Sequence, residues 1–281
     1  MDEQVVALGA AELTVGVPDD ERLGTFWSLF AAGGFEPGTR RIVEQHAAPG
    51  RTFVDVGAWI GPFTLLAASL GATVVAYEPD PLAVAELRAR LARNPQIAGT
   101  VEVHEVALAA STGTAMLVAD AGLGHGRSTV AAGSAATAPA DGSVDPTAAA
   151  RVPVHTVDAR SEAATDAWRG CSLLKIDVEG GEYAVVPRLR RHLRQQRPAL
   201  LLSLHGPDPA SILTARFGRL RLVRHRLAGA LRRAPLLWSV GWYPHRFRAA
   251  DNRTDDWRPI SRSALLLLAL RVGETELYLH A

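Results

Sequence analysis

Residues 52–61, Thr52-Phe53-Val54-Asp55-Val56-Gly57-Ala58-Trp59-Ile60-Gly61, decide how the rest of the chain is organised. Phe53, Val54 and Val56 form an apolar run of β type. The run ends at Asp55, Gly57 and Gly61, and the helical pattern FTLLAASLG follows. Strand, tight glycine turn and helix, in that order, make the first βα unit of a nucleotide-binding α/β sheet. Glycines in such a turn let the backbone approach a ligand that a Cβ would hold off. The helix start behind them offers free N–H groups to a polar or anionic group.

The spacing narrows the ligand. A dinucleotide fingerprint needs G-x-G-x-x-G, whereas three residues separate Gly57 from Gly61 here and Trp59 fills the middle. No helix start is cleared for a pyrophosphate. The second apolar strand, ATVVAYEPD, ends in Glu78, followed by Pro79 and Asp80. An acid at this strand tip is placed to hold a ribose diol. A ribose clamp without a pyrophosphate clamp suits adenosine with a short tail, such as S-adenosylmethionine (SAM). The candidate cofactor contacts are Asp55, Gly57, Trp59, Gly61, Glu78, Pro79 and Asp80. Two other readings stay open on these residues. One is a nicotinamide-dependent Rossmann oxidoreductase, disfavoured by the missing third glycine. The other is a non-catalytic methyltransferase-like domain that binds a partner through the Arg- and Trp-rich segment 216–258.

Composition sets the bounds. The 281 residues suffice for one large core. Hydrophobic content of 48% with 21% charged residues is that of a soluble globular chain, and a net charge of +1 argues against a nucleic-acid footprint. Cys171 is the only cysteine, which excludes an internal disulfide and a thiolate metal cluster. Lys175 is the only lysine; every other basic side chain of the Lys/Arg type is arginine. The start, MDEQVV, lacks the basic and apolar pattern of a signal peptide. The longest apolar run, 264–270, is too short to span a membrane. A cytoplasmic protein is the default expectation.

Taken in order, residues 1–50 predict a β-hairpin (5–8 and 13–17) and two helices (21–31 and 39–46), laid as a cap over the ligand edge of the sheet. Residues 51–281 predict the cofactor-binding domain. Strands are expected at 101–104, 114–118, 152–157, 172–177, 199–204, 220–223, 263–272 and 276–280. Helices are expected at 82–93, 183–194 and 208–217. Residues 119–150 are small, polar and without period, and predict a long flexible insertion whose part 122–129 orders over the site. Strands alternating with helices mean a mostly parallel α/β sheet, Rossmann-like, with helices on both faces. Asp55, Glu78, Asp177/Glu179 and His205 then all fall at carboxyl ends of strands, where ligands bind in such sheets.

Four segments together carry a family resemblance: VDVGAWIGPFTLLAA, AYEPDP, the VAL-x-x-x-x-G-T turn at 106–114, and LLKIDVEGGEY. They resemble the FkbM family of SAM-dependent methyltransferases over roughly residues 26–205. Trp27 and Phe35-Glu36-Pro37 fit the same pattern. The resemblance implies a class I methyltransferase fold, SAM as cofactor, and O-methylation of a hydroxyl on a sugar, polyketide or similar small molecule. One departure is the strand LLSLHG, which ends in Ser203 and His205 where many members carry an acid.

The second constellation is Asp177, Glu179 and Glu182. The functional reading puts Asp177 beside the transferred methyl group and Glu179 against substrate. Three carboxylates in so short a stretch could also hold a hard divalent cation, a reading not favoured because no second ligand cluster matches it. His205 is a candidate general base, its ordinary pKa of about 6.5 suiting proton removal near neutrality. Asp177 is the rival for that role. His125, Arg127 and Ser128, in the expected lid, are candidate substrate contacts.

Overall fold

The central strand, Thr52–Val56, runs between two others and is buried on both faces, as its β-branched and aromatic content demands. It belongs to a computed structural model that describes residues 3–16, 21–119, 123–124, 126, 128–131, 150–205, 235–237, 239–240, 246–250, 256–261, 263–264 and 275–280. In chain order the elements are β1 (Val5–Leu8), β2 (Ala11–Thr14), α1 (Glu21–Ala31), α2 (Pro37–His46), β3 (Thr52–Val56), α3 (Pro62–Ser69), β4 (Thr73–Tyr77) and α4 (Pro81–Arg93). There follow α5 (Pro95–Ala98), β5 (Val101–His104), β6 (Ala107–Ala109), β7 (Gly113–Ala119), β8 (Ser128–Ala131), β9 (Ala150–Asp158) and α6 (Ala159–Glu162). The last are β10 (Cys171–Ile176), α7 (Glu182–Gln196), β11 (Ala199–Leu204), β12 (Arg246–Ala250), β13 (Arg258–Ile260) and β14 (Thr275–His280).

Eight strands form the main sheet in the order β13-β12-β14-β11-β10-β3-β4-β5. From β5 to β11 every pairing is parallel. Strand β14 then runs antiparallel between β11 and β12. The chain order reverses between β3 and β10, so the switch point of this doubly wound sheet lies there. Side chains alternate across the sheet. Phe53, Leu173 and Leu201 meet α2, α3 and the β1–β2 hairpin in one core. Val54, Val56, Leu174, Ile176 and Leu202 meet α7 and Trp168 in the other. By the same alternation Asp55 and Lys175, in register with each other, are buried on the α3 face.

A second sheet, β6-β9-β7-β8, was not foreseen. Residues 107–109, expected as the start of a turn, form β6 against β9. The insertion also contains a strand: β8 pairs antiparallel with β7, Ser128 opposite Ala119. Ser263 and Ala264, expected to begin a closing strand, lie in a helical turn. The helix expected at 208–217 and the strand at 220–223 fall outside the described residues, as does the flexible stretch expected at 131–150 apart from its ends, Ala131 in β8 and Ala150 in β9. Among the described residues no helix is long and apolar enough to cross a membrane.

Candidate active site

The first wall of the site is the turn after β3. Gly57 has φ +83, and a Cβ there would sit 1.8 Å from the Asp177 carbonyl oxygen. The glycine is therefore required by the close approach of the next strand's turn. Gly61 has φ +88, and its Cβ would meet Leu87 Cδ1 at 2.3 Å, so it lets α3 pack on α4. Between them Trp59 takes φ +51, a left-handed conformation uncommon for an aromatic residue. That twist turns its backbone N–H onto Glu78 Oε2 at 2.8 Å.

Glu78 ends β4. Its Oε1 accepts the Asp80 N–H at 2.9 Å. Burial pushes its carboxyl up to about 7, against the pull of the two N–H donors. Asp80 caps α4, its Oδ1 accepting from the Leu82 and Ala83 N–H groups. Its other oxygen accepts the Gly124 N–H at 2.6 Å, while the Trp59 indole donates to the Gly124 carbonyl at 2.8 Å. The insertion is thus fastened to the first two strand ends through the N–H and the carbonyl of one residue, Gly124.

The second wall is the turn after β10. Lys175 Nζ lies 3.4 Å from Asp55 Oδ1 and 3.4 Å from Asp177 Oδ2, and donates to the Gly57 carbonyl at 3.3 Å. Burial alone would lower the amine's pKa. Asp177, then Asp55 and Glu36, outweigh it and hold the amine above its ordinary range. Asp55 also accepts from the Thr64 hydroxyl at 2.8 Å. Glu179 takes φ +48. On β14, Glu276 is buried beside the Thr39 hydroxyl (3.2 Å), and burial followed by Glu36 and Asp177 pushes it up to about 8.

One cavity of about 310 Å³ joins the two walls, reaching from Glu78 and Pro79 to Asp177 and Glu179. Four non-glycine residues among those described have positive φ, and three of them, Glu36, Trp59 and Glu179, line this cavity. Such strain gathers at functional sites. Ser128 lines it too, and its buried hydroxyl finds no hydrogen-bond partner among the described residues. An apolar stretch, Val106 to Leu108, forms the side below the β4 and β5 ends.

The residues singled out from sequence sort as follows. Gly57, Trp59, Glu78, Pro79, Asp80, Ser128, Asp177 and Glu179 line the cavity. Asp55 and Gly61 lie behind its wall, tied to Lys175 and Leu87 as above. His125 and Arg127 fall outside the described residues. His205 does not line the cavity; it is enclosed by Asp177, Glu179 and Glu182, and its pKa is pushed up to about 9. Its place outside the cavity lining and the three carboxylates around it favour the charged ring over the neutral one, and the role of His205 is taken up below as a proposal. Among the described residues no three His, Cys, Asp or Glu side chains are arranged to hold a metal ion. Sequence reasoning missed Glu36 and the 106–108 stretch as site residues. The one available signal for Glu36 was an acid immediately before the helix-starting Pro37.

A doubly wound sheet with a cavity at its switch point, an acid at the tip of the second strand and no pyrophosphate-binding glycine cluster defines a class I methyltransferase. Family membership agrees. The family model for the Methyltransferase FkbM domain matches residues 55–221, more than half of the chain, and the chain belongs to this family of SAM-dependent methyltransferases. Among solved structures, the FkbM methyltransferase of Methylobacillus flagellatus is 18% identical, with a TM-score of 0.45 over 82% of this chain. The match spans 43% of that protein's length. A TehB-like SAM-dependent methyltransferase of Corynebacterium glutamicum is 11% identical over 92% of this chain and 96% of its own, TM-score 0.41. A protein of Klebsiella pneumoniae described as a putative O-methyltransferase is 12% identical over 94% of this chain and 92% of its own, TM-score 0.41. No curated protein matches.

Proposed function

We propose that the chain methylates a hydroxyl group of a small molecule, with SAM held at the β3 and β4 ends and the acceptor at the β10 end. The observation that carries this reading is the single cavity walled by Glu78 at one end and by Asp177 and Glu179 at the other. Its size falls at the low end of the ~300–1,000 Å³ usual for small-molecule sites. Glu78 offers the remaining lone pairs of both carboxylate oxygens to a ribose diol. The Val106–Leu108 side suits a flat base, and the unpartnered Ser128 hydroxyl is available to the ligands.

When bound, SAM supplies a methyl group already activated by its sulfonium. The chain's task is alignment, water exclusion and proton removal. Proximity and orientation can supply about 7–11 kcal/mol of the barrier reduction. The Trp59–Gly124–Asp80 fastening closes one side of the cavity and keeps water from it. Asp177 Oδ atoms lie on the cavity wall, so the Asp177 carboxylate is the group placed to accept the hydroxyl proton as the new bond forms. Lys175 beside it keeps that carboxylate fixed. The sugar or polyketide class of acceptor follows from the family resemblance.

Two measurements test the reading. Calorimetry with S-adenosylhomocysteine (SAH) should show one site. Mass spectrometry with methyl-labelled SAM and a panel of hydroxylated metabolites should place the label on oxygen. Transfer to carbon or nitrogen instead would overturn the O-methylation assignment while leaving the cofactor site standing.

A further inference from the structure

His205 follows directly on β11, the neighbour of β10 in the sheet, and its side chain is 13% exposed. Nε2 is 3.6 Å from Asp177 Oδ1 and 3.4 Å from Glu179 Oε2; Nδ1 is 3.5 Å from Glu182 Oε1. The backbone is pinned as well. Its N–H donates to Glu182 Oε1 at 2.7 Å, and its carbonyl accepts from the Tyr183 hydroxyl. Glu182 is itself fixed: fully buried in the first turn of α7, it accepts the Gly180 N–H at 2.8 Å through Oε2. Among the described residues, the groups facing the ring are Asp177 and Glu179 from the β10–α7 turn and Glu182 and Tyr183 from α7.

A neutral imidazole in this cage would set one lone pair against a carboxylate. The charged ring directs an N–H toward carboxylates on both sides at ion-pair distance, although Nδ1 makes no formal hydrogen bond among the described residues. Burial alone lowers the ring's pKa; the Glu182 carboxylate, then Asp177 and Glu179, outweigh it and raise it to about 9. The cation also has a mechanical effect. Asp177 and Glu179 are like charges on one cavity wall; Lys175 lies against Asp177, and His205 is a cation in contact with both, which offsets their mutual repulsion.

We propose that His205 is a positioning residue: an imidazolium, anchored by Glu182, that holds the cavity-lining carboxylates of Asp177 and Glu179 in place. This rests on the reading of Asp177 as the proton-accepting group. His205 does not line the cavity and acts through those two side chains.

The first test needs no acceptor. Nitrogen-15 NMR of the SAH-saturated full-length protein should show both His205 ring nitrogens protonated from pH 6 to 8, with titration near 9. A singly protonated ring at pH 7 overturns the proposal, and failure of SAH to bind overturns the cofactor reading instead. In turnover, His205→Ala should lower kcat roughly tenfold to a hundredfold, as loss of an outer partner does, with SAH affinity unchanged. His205→Lys, which restores a cation but no base, should recover most of that loss. The native rate should fall as pH rises past the ring's pKa. A rate that climbs through an imidazole pKa, with His205→Lys as poor as His205→Ala, would restore the general base and sink the clamp.

Discussion

The two ends of the cavity are built by different means. At the cofactor end, Glu78, Trp59 and Asp80 are tied by main-chain N–H groups to carboxylate oxygens, over short or moderate sequence separations. At the acceptor end, Lys175, Asp55, Asp177, Glu179, Glu182 and His205 are held chiefly by charge, and the Asp55–Lys175 contact bridges two strands far apart in the chain. A main-chain donor does not titrate, so the cofactor end depends on pH through its carboxylate acceptors alone, Glu78 foremost, whose carboxyl is pushed up to about 7. A site held by side-chain charge depends on the protonation state of both partners in every pair. The comparison separates a more rigid half from a half set by titration.

The widest break between the halves should come from Asp177→Asn. Removing the proton acceptor should cut kcat about 10²–10⁴-fold and leave SAH affinity unchanged by calorimetry, because only the acceptor end is touched. Gly57→Ala strikes the seam shared by both halves. Its Cβ meets a backbone oxygen that cannot step aside, and chemical denaturation should show a loss of about 4 kcal/mol. Glu78→Ala tests the rigid half. Loss of a charged hydrogen-bonding group should weaken SAH by roughly 1.5–3 kcal/mol; unchanged affinity would remove Glu78 from the ribose.

The pH dependence of stability sharpens the contrast further. Glu78 and Glu276 are raised by burial to about 7 and about 8, from an ordinary 4.5. A group whose folded pKa is raised stabilises the fold fully below its unfolded pKa and loses that contribution as pH rises through the folded value. The ligand-free protein should therefore lose several kcal/mol of stability between about pH 4.5 and 8.5, at about 1.4 kcal/mol for each pKa unit. Glu276→Gln should flatten the upper part of that slope and Glu78→Gln the lower part. A rise in urea midpoint over this window would contradict both. The smallest effect is expected from Trp59→Phe, which deletes one indole hydrogen bond worth about 1 kcal/mol. Hydrogen exchange at Gly124 should quicken, with α3 and β3 unchanged.

The same division explains what the sequence made legible. Strands β3, β4, β5 and β10 and helices α3, α4 and α7 follow from apolar period, Pro81 and Asp80 at a helix start, and glycine turns, all of them local signals. The cavity residues Glu78 and Asp177 followed because strand ends in a parallel sheet point one way. Strand β8 was hidden because Ser128–Ala131 has only four residues and sits in a tract of small polar residues; pairing with β7 supplies what local pattern does not. Strands β12 and β13, in and just after the Arg- and Trp-rich segment, were hidden for a similar reason: β13 pairs with β12, and β12 pairs with β14, which arrives later in the chain. His205 was located at the right strand end, but the three carboxylates around it, two from the β10–α7 turn and one from α7, are a tertiary feature that an ordinary imidazole pKa does not carry.

Lys175, one amine wedged between two carboxylates and 4% exposed, has a practical consequence. Because the chain contains no other lysine, an acylating reagent meets only that side chain and the α-amino group. The folded protein shields Lys175, so acylation there marks the moments when the β3–β10 seam parts. The rate of that single labelling event, followed by intact-mass measurement with and without SAH, times the breathing of the site without any engineered probe.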